Sequence, residues 1–256
     1  MRLTVIGCSG SVPGPGSPAS CYLVEAGDEA GRTWRVLLDL GNGALGPLQD
    51  HVDPVALDAV LLSHLHADHC LDLCGLYVML RHRPGEPRTT ALPVWGPAGT
   101  ADRMARAYDL APSPGMTSQL DFGQWTDGGP VVIGPLTVTP MRVNHPVEAY
   151  GLRIEHAGRV LSYTGDTDSC DNLEPLCHNA SIMLADSAFV DGRDTAAGVH
   201  LSGRRAAEAA VAAGGVGRLV LTHLPPWNDP ALCLAQARAV WDGPLEVAEA
   251  GSTYDV

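Results

Sequence analysis

Long apolar runs and positive charge are both scarce in this sequence, and each scarcity excludes a class of protein. No apolar run approaches the ~18 residues that cross a membrane, and the first residues lead into a predicted strand rather than a secretion signal. Lysine and arginine number 16 against 29 acidic residues, which gives a net charge of −13. We therefore expect neither a membrane partner nor extended nucleic acid as a partner.

Cysteines are present but show no pairing pattern. There are seven, an odd number, and none forms a CxxC pair, so a disulfide framework is not indicated and a reducing cytoplasm is the expected compartment. The length of 256 residues is enough for a sizeable core. No linker-like segment divides the chain, so we expect a single domain over 1–256.

The densest chemistry lies in the stretch Ser63-His64-Leu65-His66-Ala67-Asp68-His69. Four potential metal ligands fall within six residues, directly after an apolar run and before a predicted helix. Alternation along the strand end lets His64 and His66 point the same way, while Asp68 and His69 face a second position after the turn. Imidazoles with a carboxylate suit zinc, with manganese or iron as harder alternatives. A polar loop that happens to be rich in histidine is the non-functional alternative.

Four more polar side chains follow apolar runs at predicted strand ends: His145, Asp166, Asp186 and His223. His145 would complete a first metal's ligand set with His64 and His66, and His223 a second with Asp68 and His69. Asp166 has two oxygens and would bridge both metals. Three or four ligands per metal leave an open position, which is typical of a catalytic site.

The remaining apolar runs predict an α/β protein. Strands are predicted over 2–7, 20–26, 33–39, 59–62, 92–96, 131–133, 136–143, 151–154, 159–163, 181–185, 219–221 and 245–248. A short helix is predicted to end near residue 50, and further helices over 71–80, 98–108, 202–213 and 229–241. Two mixed sheets with helices on the outside, an αββα sandwich, is the simplest arrangement of these elements.

Three further segments keep two interpretations each. The Gly- and Pro-rich loop over 7–16 either faces a substrate or is a plain surface loop. Asp39, at the end of a predicted strand, either supports the metal ligands or caps a turn. The short basic segment over 81–88 is either a solvated connection or a guide for an anion.

At these residues the sequence resembles the metallo-β-lactamase-fold hydrolases. The run His64-Leu65-His66-Ala67-Asp68-His69 matches their HxHxDH motif, and His145, Asp166 and His223 stand at the later ligand positions. Within that superfamily it resembles the ribonuclease Z-type phosphodiesterase branch, and most of all the atypical class II cyclic-nucleotide phosphodiesterases of actinobacteria. The branch-level likeness rests on three segments: the opening from Gly7 to Pro13, Tyr163-Thr164-Gly165-Asp166-Thr167 and His200-Leu201-Ser202.

The sequence departs from other branches of the superfamily at several positions, and these departures narrow the range of substrates and reactions that the resemblance implies. Asp166 stands where the best-known zinc β-lactamases have a cysteine, which disfavours a lactam substrate, and His66 stands where flavo-di-iron proteins have a glutamate. Only about twenty residues separate His145 from Asp166, which leaves no room for the basic arm of transfer-RNA-processing relatives. Asp186 occupies a position where the branch often has a glutamate.

The resemblance implies an αββα fold, two divalent metal ions and hydrolysis of a small anionic phosphodiester such as 3′,5′-cyclic AMP. Asp68 would ligate a metal and orient the attacking water, and His200, held by Asp186, would protonate the leaving oxygen. The alternatives are hydrolysis of another small ester or lactone, as in a secondary-metabolite pathway, and a non-catalytic metal-stabilised scaffold. Since relatives are often dimers, a homodimer is expected.

Overall fold

The computed structural model describes residues 1–85 and 88–256, and two seven-stranded sheets packed face to face form its centre. The strands are β1 Arg2–Gly7, β2 Cys21–Gly27, β3 Thr33–Leu38, β4 Ala59–Leu61, β5 Leu92–Gly96, β6 Leu120–Gln124, β7 Val131–Ile133, β8 Leu136–Arg142, β9 Tyr150–His156, β10 Arg159–Tyr163, β11 Ile182–Asp186, β12 Leu219–Thr222, β13 Leu245–Val247 and β14 Thr253–Asp255. The first sheet has the order β14-β1-β2-β3-β4-β5-β6 and the second β13-β12-β11-β10-β9-β8-β7.

Helices lie on the outer face of each sheet. They are α1 Leu45–Leu48, α2 Ala67–Cys70, α3 Leu73–His82, α4 Thr100–Ala107, α5 Leu173–Cys177, α6 Gly203–Ala212 and α7 Pro230–Arg238, with a short 3-10 helix at Pro54–Ala56. None of the helices in the part of the chain that the structure describes is both long enough and apolar enough to cross a membrane. The αββα sandwich expected from the sequence is confirmed.

Strand alternation sorts the apolar side chains into three layers. Tyr22 and Val24 of β2 face the core between the sheets, whereas Cys21 and Leu23 of the same strand face the layer under α1 to α4. A third layer lies between the second sheet and α5 to α7. The central strands β2, β4, β10, β11 and β12 are thus buried on both faces, which explains why they show continuous apolar runs in the sequence.

The functional edge of the sandwich follows from its parallel strands. In the first sheet β3 and β4 pair in parallel, and in the second β10, β11 and β12 do the same. The carboxyl ends of parallel strands meet at one edge of a sheet, where ligands generally bind. The loops that follow these five strands carry most of the polar residues noted above.

Several predicted elements differ in detail from the structure. The helix predicted over 71–80 is α3, which begins and ends two residues later. A short helix that was not predicted, α2, precedes it and carries Asp68 and His69. The strands β6 and β14 were not predicted because they give weak signals: β6 includes Gly123, and β14 is only three residues long. Glu86 and Pro87, inside the predicted basic connection, lie outside the described residues, so its role stays a prediction.

Candidate metal centre

The first of two ligand groups consists of His64, His66 and His145. His64 and His66 follow β4, and His145 follows β8 from the other sheet. Their ring nitrogens converge: His64 Nε2 lies 3.0 Å from His66 Nδ1, which lies 3.2 Å from His145 Nε2. His64 is fully buried, while His66 is exposed and His145 half-buried. This is the trio that the sequence predicted for one metal.

The second group consists of Asp68, His69, Asp166 and His223, all of them buried. His69 Nε2 lies 3.2 Å from Asp166 Oδ1, and His223 Nε2 lies 3.2 Å from Asp166 Oδ2. Asp68 Oδ2 stands 3.5 Å from His69 Nε2. Asp166 also joins the two groups, since its Oδ2 lies 3.7 Å from His64 Nε2.

Two atoms of this cluster test whether a cation fits it. His69 Nε2 and Asp166 Oδ1 are fully buried; although they lie 3.2 Å apart they do not form a hydrogen bond with each other, and neither has another hydrogen-bond partner among the described residues. A buried polar atom without a partner is costly, by about 1–3 kcal/mol and more for a charged group. Within each group the ligand atoms lie no more than 4.8 Å apart. The His/Asp cluster therefore fits a divalent metal site, because a cation at its centre would satisfy both atoms.

Other side chains fix the orientation of the imidazoles from outside. Asp39 Oδ2 accepts hydrogen bonds from His69 Nδ1, from the Ser63 hydroxyl and from the Tyr163 hydroxyl, each 2.7 Å long. His223 Nδ1 meets the Ser20 hydroxyl at 3.1 Å. Because Nδ1 of His69 and of His223 is engaged in these contacts, Nε2 of each ring faces the centre of the cluster. Supporting hydrogen bonds of this kind orient metal-ligating histidines.

These contacts decide between the two interpretations of Asp39. It is completely buried at the base of the second group and holds His69, which favours the supporting role over a turn cap. The contributions of Tyr163 and Ser20 were not foreseen. Tyr163 could have been found from the sequence, because it ends an apolar predicted strand and stands three residues before Asp166.

The glycine-rich loop over 7–16 reaches this site. Gly10 N donates to Leu224 O, and Ser11 N lies 3.4 Å from His223 Nε2. A Cβ on Gly10 would come within 2.1 Å of His223 O, so only glycine allows this approach. His223 itself has a φ of 59°, an uncommon backbone conformation for a histidine that the surrounding loop must hold in place.

The histidines of the first group are held neutral. Burial lowers the pKa of His64 well below its ordinary value, and burial also lowers the pKa of His66 and His145. Neutral imidazole is the form that ligates a metal. This group is therefore ready to bind a cation without first losing protons.

The second group carries the negative charge. Burial by itself would raise the pKa of Asp166, but His223, His69 and His64 hold it well below its ordinary value. Burial likewise opposes protonation of His69, yet the carboxylates of Asp166 and Asp39 raise the pKa of that imidazole well above its ordinary value. The carboxylates here thus attract positive charge, which a metal ion would supply in place of the proton.

His200 and Asp186 form a pair beside both groups. His200 Nδ1 donates to Asp186 Oδ2 at 2.9 Å, and the His200 ring centre lies 5.5 Å from that of His145 and 5.3 Å from that of His223. Although burial opposes it, the Asp186 carboxylate raises the pKa of His200 to about 9. An imidazole held in this way can donate a proton at neutral pH.

Two aromatic side chains of the kind that can stack on a nucleotide base, those of Tyr108 and Trp227, do not belong to the cluster. Tyr108 packs its ring against Tyr77, with centroids 5.5 Å apart, and Trp227 is 63% exposed. Neither is among the residues of the two ligand groups or of the His200 pair.

Comparison with known proteins now assigns the family. The model of the beta-lactamase superfamily domain matches residues 34–224, a range that includes all seven candidate ligands and both His200 and Asp186. The chain belongs to the β-lactamase superfamily. Within it, an uncharacterized protein of Mycobacterium leprae is 44% identical and covers the whole chain and 89% of its own length.

Two further superfamily members indicate the kind of hydrolase. The probable metallo-hydrolase YhfI of Bacillus subtilis is 29% identical over the full length of both chains, and its crystal structure, a metallo-β-lactamase fold protein, superposes with a TM-score of 0.86 over 99% of each chain. A ribonuclease Z of Mycolicibacterium paratuberculosis is 28% identical over 88% of this chain and 86% of its own. The chain is accordingly a metallo-hydrolase of this superfamily with ribonuclease Z-like relatives.

Proposed function

We propose that this metallo-hydrolase holds two divalent metal ions, zinc by preference and otherwise manganese or iron, and cleaves a small phosphodiester such as 3′,5′-cyclic AMP. The observation that carries the proposal is the placement of the His200–Asp186 pair beside two ligand groups that share Asp166. His64, His66 and His145 would hold one metal, and Asp68, His69 and His223 the other.

When bound, such a metal pair neutralises charge on a phosphoryl group and lowers the pKa of a water that attacks it. The chain's own groups complete the reaction. Asp68, which is 8% exposed, orients the attacking water and accepts its proton. His200 gives a proton to the leaving oxygen, and Asp186 keeps the proton-bearing Nδ1 turned away so that Nε2 faces the substrate.

A cavity of about 410 Å³ beside His66 supports a small substrate. Its walls are mostly apolar, with Arg103 as the positively charged residue and Glu148 as the negatively charged one. This volume suits a ligand of nucleotide size. A larger groove of about 780 Å³ lies along α3 and contains none of the candidate ligands, so it does not bear on the reaction.

The kinship with ribonuclease Z supports phosphodiester chemistry, since a ribonuclease cleaves phosphodiester bonds. The net charge of −13 supports a small substrate over an extended RNA, which a strongly acidic surface repels. An ester or lactone substrate would use the same cluster, so the experiment must separate the two.

The test begins with metal content, measured by mass spectrometry on protein purified without added metal. The same sample is assayed on 3′,5′-cyclic AMP, with Asp166→Ala as the control. About two metals per chain, with hydrolysis that Asp166→Ala abolishes, is the expected result. Two metals without hydrolysis of any cyclic nucleotide, but with turnover of a lactone or ester, would replace the phosphodiesterase assignment. Fewer than one metal after supply of zinc or manganese would overturn the metal centre itself.

A further inference from the structure

One buried carboxylate touches none of the seven candidate ligand side chains and still links the loops around them. Asp168 is only 7% exposed. Its Oδ2 accepts a hydrogen bond from Gly198 N at 2.7 Å, and its Oδ1 accepts one from Ser169 N and pairs with the Arg205 guanidinium. Buried carboxylates that accept hydrogen bonds from backbone N–H groups fix the conformation of the loop that donates them.

The loop it holds is the one that carries His200. Gly198, Val199 and His200 are consecutive, and each is tied to a different part of the site. Gly198 bonds to Asp168, Val199 O accepts from His145 Nδ1 at 2.8 Å, and His200 Nδ1 donates to Asp186. Gly198 has a φ of 72°, so this turn is easily distorted if its N–H loses a partner.

Arg205 contacts Asp168 from helix α6. Ser202 caps α6 by accepting from Arg205 N, which places Arg205 in the first turn of that helix, five residues after His200. Its guanidinium reaches Asp168 and also lies 3.7 Å from Asp191 Oδ1. The pair is largely shielded, with side-chain exposures of 22% for Arg205 and 11% for Asp168, so it is screened less than a surface ion pair.

We propose that Asp168, with Arg205, is a positioning residue that holds His200 where it can protonate the leaving group; this rests on the proposed function. The carboxylate contacts neither a ligand side chain nor the cavity beside His66. Its removal should therefore displace His200. His145 also bonds to this loop, through Val199 O, but its Nε2 lies among the ring nitrogens of the first group, so we expect the metal cluster to be retained. A misplacement of about 1 Å from a residue remote from the chemistry can reduce the rate by roughly 10²-fold.

The test compares substrates that differ in their need for a general acid. Cyclic AMP expels a sugar alkoxide, a poor leaving group, whereas bis(p-nitrophenyl) phosphate expels p-nitrophenolate, which leaves without protonation. For Asp168→Asn we expect kcat on cyclic AMP to fall by about 10-fold to 10²-fold, with KM and metal content unchanged. On bis(p-nitrophenyl) phosphate the fall should stay under about threefold.

A double-mutant comparison links the loss to His200. Asp168→Asn added to His200→Asn should reduce the rate on cyclic AMP no further, because both changes remove the same proton donor. Asp171→Asn is the matched control, since Asp171 lies on the same loop, is exposed and makes no side-chain hydrogen bond recorded within residues 1–85 and 88–256. Arg205→Gln, which keeps the Gly198 bond, is the second variant and should give a smaller, equally selective loss.

Hydrogen exchange of the peptide over 194–201, read by mass spectrometry in the metal-loaded protein, tests the same proposal without any substrate. Asp168→Asn should speed exchange there, and Asp171→Asn should not. Unchanged exchange would overturn the proposal, as would equal losses on both substrates or losses that add to those of His200→Asn. If the wild-type protein does not cleave cyclic AMP at all, the proposed function fails, while the exchange result still supports or overturns the role of Asp168.

Discussion

The two ligand groups differ in charge, in exposure and in the contacts that support them. His64, His66 and His145 are neutral imidazoles, and two of the three reach solvent. Asp68, His69, Asp166 and His223 are all buried, include two carboxylates, and have their imidazoles oriented by Asp39 and Ser20.

The difference indicates that the two groups have different roles in the metal centre. Charge and supporting hydrogen bonds both strengthen metal binding, so the second group should retain its metal more firmly. Because His66 is exposed and lies at the wall of the cavity, we expect a substrate to enter on the side of the first group. Substitutions in each group and stepwise removal of the metals test this contrast.

Asp166→Asn should have the largest effect because Asp166 serves both groups. The change removes a buried negative charge that lies within 3.2 Å of two histidines and 3.7 Å of a third. A bound metal contributes several kcal/mol to such a reaction, so loss of its ligand should reduce kcat/KM by roughly 10³-fold or more. Metal content should fall to one ion or fewer per chain, as mass spectrometry would show. Retention of two ions and of activity would mean that the groups do not share this carboxylate.

Asp39→Asn should weaken the second group selectively. Asparagine keeps one acceptor for the Ser63 and Tyr163 hydroxyls but loses the charge that holds His69 Nδ1–H. Loss of such a supporting contact typically reduces metal affinity by about 10-fold to 100-fold. Competition with a fluorescent zinc indicator would measure it, with one of two binding steps expected to weaken.

The matched control for that experiment is Asp72→Asn. Asp72 also accepts a backbone hydrogen bond, from Leu45 N at 2.9 Å, but it has no contact with an imidazole among the described residues. Its zinc affinity should equal that of the wild type. Equal weakening of both binding steps by Asp39→Asn would contradict the separation of the two groups.

Stepwise chelation should remove the two metals in order. Apart from the shared Asp166, the first group offers neutral ligands, two of which reach solvent. Its metal should therefore leave at a chelator concentration at least about tenfold lower, a difference of about 1.4 kcal/mol in affinity. Metal content followed against chelator should show a plateau near one ion per chain. Since binding to the folded state stabilises it, the Tm should drop in two stages, with the larger drop at the second. Loss of both metals in a single step would show that the two groups do not differ in metal affinity.

How much of this was predictable differs between the ligands and the residues that support them. All seven candidate ligands were placed from strand ends and the His64–His69 cluster, because buried parallel strands give clear apolar runs and their carboxyl ends share an edge. The two oxygens of Asp166 suggested that it bridges the groups. The structure brings these residues together because the strands that carry them end at one edge. The strands themselves were visible in the alternation and spacing of apolar residues in the sequence.

The supporting residues were less visible because their roles depend on contacts distant in sequence. Asp39 meets Tyr163 across 124 positions, and Ser20 meets His223 across 203, and no local pattern encodes such pairs. The same holds for Asp168 and Arg205, separated by 37 positions. A short polar residue in a loop looks alike in sequence whether it caps a turn or holds a catalytic loop, and only the packed fold distinguishes the two.

The smallest predicted effect concerns the open side of the first group. Arg103 lines the cavity next to His66 and forms no ion pair with another residue of the described ranges, so its charge is free to meet an anionic substrate. Arg103→Met keeps the apolar stem and removes the charge, and a single exposed charge of this kind contributes about 0.2–1 kcal/mol. We expect KM for cyclic AMP to rise about two- to fivefold, with kcat and metal content unchanged, and the rise should shrink as salt is added. Arg106→Met, in which the arginine already faces Asp102 on the same helix, is the matched control and should leave KM unaltered. A fall in kcat without a change in KM would show that Arg103 acts on the chemistry and not on binding, and no change in either would mean that the substrate reaches the centre away from this cavity.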